Sequence, residues 1–205
     1  MIAIIDYGLG NILAFVNTFK RLNIPVAVAE NTGALTKATG LILPGVGAFD
    51  HAMELLQASG MRHTLDKLVL ERKMPILGIC VGMQILADSS EEGTRPGLGW
   101  IPGRVCAFKP ELQAAGLPMP HMGWNDVHSV KNQRLFKGLE TDARFYFLHS
   151  YFFECKKQEN VAAVADYGMN FSCAVHSENV YGVQFHPEKS HQWGIQLLKN
   201  FAEVD

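Results

Sequence analysis

Three residues in this sequence have the side chains that nucleophilic acyl chemistry requires: Cys80, His186 and Glu188. Cys80 stands in Gly78-Ile-Cys-Val-Gly82. It follows the apolar run Pro75 to Ile79, which a parallel sheet would bury on both faces, and precedes Val81 to Ala87, which switches to helix formers. A cysteine between two glycines at a strand-to-helix corner has the pattern of a nucleophile elbow. Gly78 and Gly82 let the backbone turn tightly and let neighbouring segments approach, so the side chain between them projects from the sheet edge into a cleft. At the first turn of the following helix, unpaired N–H groups and the positive end of the dipole favour a thiolate over a thiol, and could hold an oxyanion. A free cysteine among apolar residues is otherwise a small buried hydrophobe, so its partners decide the reading.

A thiol nucleophile needs a base to take its proton and later to protonate the leaving group, and imidazole is the usual choice. Among eight histidines, His186 stands out because it follows the apolar strand Val180 to Phe185, with Glu188 two residues on in His186-Pro-Glu-Lys-Ser190. In extended backbone residues two apart share a side, so the carboxylate can orient the ring, and Pro187 keeps His186 out of the helical region. Read alone, His-Pro-Glu would be a surface turn before a helix capped by Ser190. A third element is Pro44-Gly-Val-Gly47. Successive N–H groups in a glycine-rich turn form a concavity suited to a negatively charged oxygen, although by itself the turn is a strand-to-helix connection.

The elements that must position these residues alternate through the first ninety or so positions. Ile2 to Asp6 reads as a strand, Tyr7-Gly-Leu-Gly10 as a turn, and Asn11 to Arg21 as a helix with Asn11 as N-cap. Strands follow at Pro25 to Ala29 and Gly40 to Leu43, then helices from Phe49 and over Met61 to Arg72. This order predicts an α/β fold: a doubly wound, mostly parallel sheet flanked by helices. From Ser89 to about Pro120 glycine and proline become frequent, which predicts a long loop and short strands. Phe145 to Phe153, Val161 to Asp166, Cys173 to His176 and Val180 to Phe185 follow with little helical pattern between them, so antiparallel strands are added in the C-terminal half. A last amphipathic helix spans about Ser190 to Ala202.

With 205 residues, 48% of them apolar and 19% charged, the chain can bury a substantial core and is expected to form one domain, 1–205. A formal net charge of -2 and the absence of a basic run argue against a nucleic-acid partner. No stretch approaches a membrane span, and Met1 to Ile5 is too short for a signal segment. The four cysteines lack a C-x-x-C pair, so no metal site is predicted and a reducing cytoplasm is the simplest setting.

In order and spacing, Pro44-Gly-Val-Gly47, Gly78-Ile-Cys-Val-Gly-Met-Gln84 and His186-Pro-Glu188 resemble the class I (triad) glutamine amidotransferases, over most of the chain. Ile5-Asp-Tyr-Gly-Leu-Gly-Asn11, Pro120-His-Met-Gly-Trp-Asn125 and Gly182-Val-Gln-Phe-His-Pro-Glu-Lys-Ser190 are similar to one branch, the glutaminase subunits of imidazole glycerol phosphate synthases. The resemblance implies that Cys80, His186 and Glu188 are catalytic, and that the N–H of Val81 and one from Val46-Gly47 form the oxyanion hole. It also implies that Gln84, Glu92 and the backbone of Ser150 and Tyr151 grip the amino-acid end of glutamine. No cofactor is implied. A partner is implied, because nothing here resembles a site that would consume ammonia: a cyclase subunit with a (β/α)8 barrel, forming a heterodimer. Asn11, Met122, Trp124, Tyr146 and Lys189, near the mouth of the site, are the interface candidates.

Other readings have less support. Gly8-Leu-Gly10 before a helix, with Glu30 ending the second strand, partly matches a dinucleotide fingerprint, but Leu13 occupies the third glycine position. A stand-alone cysteine hydrolase would use the same triad without a partner, whereas a non-catalytic binding module would not need the complete triad. The pyridoxal phosphate synthase glutaminases carry a Gly-Gly-Glu-Ser segment that does not occur after the third strand here.

Overall fold

A computed structural model of the chain describes residues 1–110, 116–130 and 133–204. The first half alternates as the hydrophobic pattern requires. β1 (Ile2–Ile5) leads to α1 (Ile12–Arg21), β2 (Val26–Ala29), α2 (Thr32–Leu35), β3 (Gly40–Gly45) and α3 (Phe49–Ala58). Then come α4 (Arg62–Asp66), which runs into a π-helical turn at Lys67–Glu71, β4 (Ile76–Cys80) and α5 (Val81–Gln84). The second half holds β5 (Ser89–Ser90), β6 (Gly103–Ala107), β7 (His121–Asp126), β8 (His128–Ser129), β9 (Arg144–His149), β10 (Tyr151–Cys155), β11 (Val161–Asp166), β12 (Asn170–Ser177), β13 (Val180–Val183) and α6 (His191–Ala202).

The main sheet runs β2-β1-β3-β4-β13-β12-β10-β6-β5. Its first five strands are parallel, in the order typical of one doubly wound class. β12 then turns antiparallel to both β13 and β10, and β10 to β6. β11 joins the edge of β12 and pairs with β8, while β7 and β9 form a separate two-stranded antiparallel sheet. Every residue of β1, β3, β4 and β13 is buried, which is why these strands read as unbroken apolar runs. α1 inserts Phe15 and Phe19 into the core and packs against α6, which contributes Leu197, Leu198 and Phe201.

Local readings failed where tertiary bonds took over. The helix foreseen from Val81 to Ala87 is a single turn, because the carbonyls of Ile85, Leu86 and Ala87 accept from Leu98, Trp100, Ile101 and Gly99 instead of from the next helical turn. The run Phe145 to Phe153 is cut at Ser150: β9 pairs with β7, and β10 crosses into the main sheet beside β6. Asn11 makes no side-chain cap bond, nor does Ser190, whose hydroxyl is drawn into the interior. The cap that forms was not foreseen: Asn31 accepts from the N–H groups of Gly33 and Ala34 at the start of α2. The Gly8-Leu-Gly10 turn does not form an open phosphate cradle. Gly8 N–H is bonded to Asp6 Oδ1 at 3.1 Å, and Gly10 lies against Pro44.

The elbow itself is built by close approach. A Cβ on Gly82 would stand 1.9 Å from the carbonyl oxygen of Leu43 in β3, and one on Gly78 would stand 2.5 Å from the carbonyl oxygen of Gly82. Both obstacles are backbone, which cannot swing aside. Gly82→Ala is therefore expected to force β3 and the elbow apart and to cost about 3 kcal/mol. Urea unfolding of the variant beside the wild type measures this.

Candidate active site

The parallel registers bring distant residues together. β3 and β13 flank β4, with Gly45 opposite Cys80 and Val183 opposite Ile79, so the carboxyl ends of all three strands open on one place. Cys80 sits there with φ 55° and ψ −114°, a conformation that a residue with a Cβ occupies at a cost of about 1–3 kcal/mol. The packed backbone around it sustains this strain and aims Sγ outward. The thiol donates to the Leu148 carbonyl at 3.9 Å and accepts from Nε2 of Gln184 at 3.8 Å.

His186 follows β13 in extended backbone, and its own main chain is held at both ends. Its N–H donates to the Tyr146 carbonyl (2.9 Å), and its carbonyl accepts from the Ser190 hydroxyl (2.6 Å). The ring Nδ1 meets Glu188 Oε1 at 2.9 Å, with both side chains almost wholly buried. The foreseen pairing is present, but its geometry differs: Glu188 belongs to a 3₁₀ turn, Pro187–Lys189, and not to a continued strand. Its second oxygen, Oε2, is buried without a hydrogen-bond partner among the described residues, so the carboxylate is directed at the imidazole alone. Burial by itself would push His186 down. Hydrogen bonds with Cys80 and Glu188, and the negative charge on both, outweigh that and raise it to about 9. The imidazole can thus hold a proton at neutral pH and deliver it to a leaving group.

Cys80 and His186 line a cavity of about 270 Å³, enough for a small polar molecule. Val46, Gly47 and Val81 line it together with Cys80. Gln84, Glu92, Ser150, Tyr151 and Lys189 also line it. Gln84 Nε2 donates to the Tyr151 carbonyl (3.3 Å) and to Gln184 Oε1 (3.1 Å). Glu92 is not a freely solvated acid: its Oε2 accepts from Phe49 N–H at 2.8 Å, at the first turn of α3.

The interface candidates lie on the outside of the same region. In the β7–β9 register Met122 faces Leu148 and Trp124 faces Tyr146. Met122 is 63% exposed, Trp124 39% and Leu148 38%, so Trp124 is not a core residue. Its ring stacks on His191 at 5.2 Å, and Lys189 Nζ stands 5.6 Å from the Tyr146 ring. Asn11, also exposed, is at the start of α1. Leu148 went unnoticed in the sequence although it joins this surface to the cavity.

Two other unnoticed residues, His121 and His149, form a buried pair: Nδ1 of His121 lies 2.9 Å from Nε2 of His149, and Nδ1 of His149 lies 2.8 Å from the Tyr151 carbonyl. A carbonyl can only accept, so the network assigns the proton of His149 to Nδ1 and makes its Nε2 the acceptor from His121. Burial lowers His121 to about 4 and His149 to about 3. Both are therefore neutral in the fold, whereas in the unfolded chain they would take up protons below about 6.5. Stability from this pair is present above that pH and is lost as pH falls toward 4 and then 3. Denaturant unfolding between pH 7 and 4 should show that loss, and His149→Gln, which cannot take up the proton, should show a shallower slope.

This fold and this constellation define a class. The family model described as "Glutamine amidotransferase class-I" matches residues 3–204, and the chain belongs to that family. Among named relatives, it is 63% identical over 204 residues to the imidazole glycerol phosphate synthase subunit HisH of Bdellovibrio bacteriovorus and 51% identical to that of Leptospira interrogans, with all of each chain covered. A solved structure of a glutamine amidotransferase at 20% identity shares the fold, with a TM-score of 0.76 and 99% of both chains covered.

Proposed function

We propose that this chain is a single-domain glutaminase that hydrolyses glutamine to glutamate and ammonia and passes the ammonia to a synthase partner in histidine biosynthesis. The observation that carries the reading is the Cys80–His186–Glu188 constellation, with Cys80 and His186 lining a small cavity, in a chain 63% identical over its full length to an imidazole glycerol phosphate synthase subunit.

Cys80 Sγ attacks the side-chain amide carbon of glutamine. The developing oxyanion is received by N–H groups of Val81 and the Val46-Gly47 turn. The C–N bond breaks as His186 gives its proton to the departing nitrogen, releasing ammonia and leaving a thioester. His186, now neutral, takes a proton from water, hydroxide adds to the thioester, and glutamate leaves as the thiolate re-forms. Glu188 fixes the ring and stabilises its cation. Glu92 suits the substrate ammonium. Gln84 and the Ser150–Tyr151 backbone hold the rest of the amino-acid end. Ammonia is useful only if it reaches an acceptor before it is protonated and escapes. The partner is therefore a cyclase subunit with a (β/α)8 barrel that docks over the cavity mouth as a heterodimer, converting a phosphoribulosyl-formimino carboxamide nucleotide to imidazole glycerol phosphate and an aminoimidazole carboxamide nucleotide. Asn11, Met122, Trp124, Tyr146 and Lys189 form the docking face, with Trp124 as its aromatic anchor.

Glutamate release by wild type and Cys80→Ser, with and without the nucleotide-loaded cyclase, tests this. Release should fall by about 10³-fold or more on loss of the thiol, and in wild type should rise steeply with the loaded partner. Release that needs Cys80 but ignores that partner would point to another synthase, and no release under any condition would overturn the reading.

The raised His186 sets the pH behaviour. Activity that depends on the imidazolium should persist up to about pH 9 and decline above it. Glu188→Gln removes a charge that favours the cation, so the alkaline limb should move to lower pH by about one unit. The pH profile of glutamate release in the complex checks the direction.

A further inference from the structure

We propose that Gln184 is a positioning residue for Cys80, its side-chain amide holding the sulfur at the cavity rim and favouring the thiolate. The inference rests on the reading of Cys80 as the nucleophile, but on a contact which that reading does not use.

Gln184 is 0% exposed, within a sheet core of valines, isoleucines and phenylalanines. An amide there is costly unless both of its ends are bonded, and a methionine would fill a similar volume without that cost. Both ends are bonded. Oε1 accepts from Gln84 at 3.1 Å, and Nε2 donates to Cys80 Sγ at 3.8 Å. The orientation follows from the surroundings. The Tyr151 carbonyl only accepts, so Gln84 must present its NH₂ to it at 3.3 Å. The same NH₂ meets Gln184, which must then present its oxygen to Gln84 and its NH₂ to the sulfur. The Tyr151 carbonyl also accepts from His149 Nδ1–H at 2.8 Å, and from Gln84 onward the donors run toward the sulfur.

The direction matters because another polar neighbour of Sγ works against ionisation. The Leu148 carbonyl, 3.9 Å away, accepts from the thiol and repels a thiolate. An N–H aimed at sulfur does the reverse. The ionisable groups around Cys80 are His186, with Glu188 behind it, Tyr7, whose OH donates to the Pro44 carbonyl, and Glu92, His149, Tyr151 and Lys189, which line the same cavity. None of them is altered by substitution at Gln184, so a change in the titration of Cys80 would report the amide.

The test is the pH dependence of iodoacetamide labelling of the full chain, with Cys80→Ser giving the background. Burial pushes Cys106 and Cys155 up to about 11 and Cys173 higher still, so their labelling is slow. In Gln184→Met the pH of half-maximal Cys80 labelling should rise by about one unit, and kcat for glutamate release in the complex should fall about tenfold. Should Gln184→Met fail to fold by circular dichroism, the isosteric Gln184→Glu keeps the acceptor for Gln84 and places an oxygen against the sulfur, and its labelling should move to higher pH. A labelling profile superimposable on wild type in the folded variant overturns the inference. Labelling needs neither glutamine nor partner, so a shifted profile in a chain that releases no glutamate would leave the inference standing while the proposed function fell.

Discussion

The backbone of the Cys80 elbow packs against β3 with no room for a side chain on Gly82, and much else depends on this contact. It stops the chain from continuing along β4 and keeps Cys80 at positive φ. It also puts the turn after β3 directly beside Cys80, because Gly45 is paired with Cys80 in the same ladder. A strained residue survives only where its surroundings over-determine it. Here the fully buried ladders of β3, β4 and β13 provide that rigidity, and the site is assembled at their shared carboxyl ends.

The charges at the site are held with the same economy. A buried imidazole would ordinarily shed its proton, and a buried carboxylate is costly unless it is paired. His186 and Glu188 meet both demands by facing each other at 2.9 Å, and the sulfur is a further favourable partner of the ring. The opposite solution stands close by. His121 and His149 share their hydrogen bonds as neutral rings, with no carboxylate paired to them among the described residues, so burial lowers rather than raises their proton affinity. Buried imidazoles are thus driven in opposite directions by what lies next to them.

The cavity and the exposed β7–β9 face are two sides of one small element. Leu148 reaches the cavity and pairs across the ladder with the exposed Met122. Tyr146, which pairs with Trp124, takes the N–H of His186 on its carbonyl and gives its own N–H to Ser190. A body seated on Trp124 would therefore press on the strand that anchors the candidate base. This geometry makes the cavity mouth a suitable place for coupling a partner to the chemistry.

The sequence by itself determined the strand–helix alternation of the first half, the elbow, and the pairing of His186 with Glu188. Each of these is local: apolar runs, flanking glycines and a two-residue spacing carry the information. It also carried a signal that went unread, since Gln184 is a polar residue in the otherwise apolar run Val180 to Phe185, two positions before His186. Tertiary structure decided the rest. The length of α5, the break at Ser150 and the inward turn of the Ser190 hydroxyl depend on backbone groups supplied by remote segments, and helix or strand propensity contains nothing about those groups. The union of Cys80 with His186, and the burial that sets the proton affinity of His186, likewise came from parallel pairing between strands far apart in the chain. Such pairing is chosen by the packing of the whole sheet and not by any one stretch of residues.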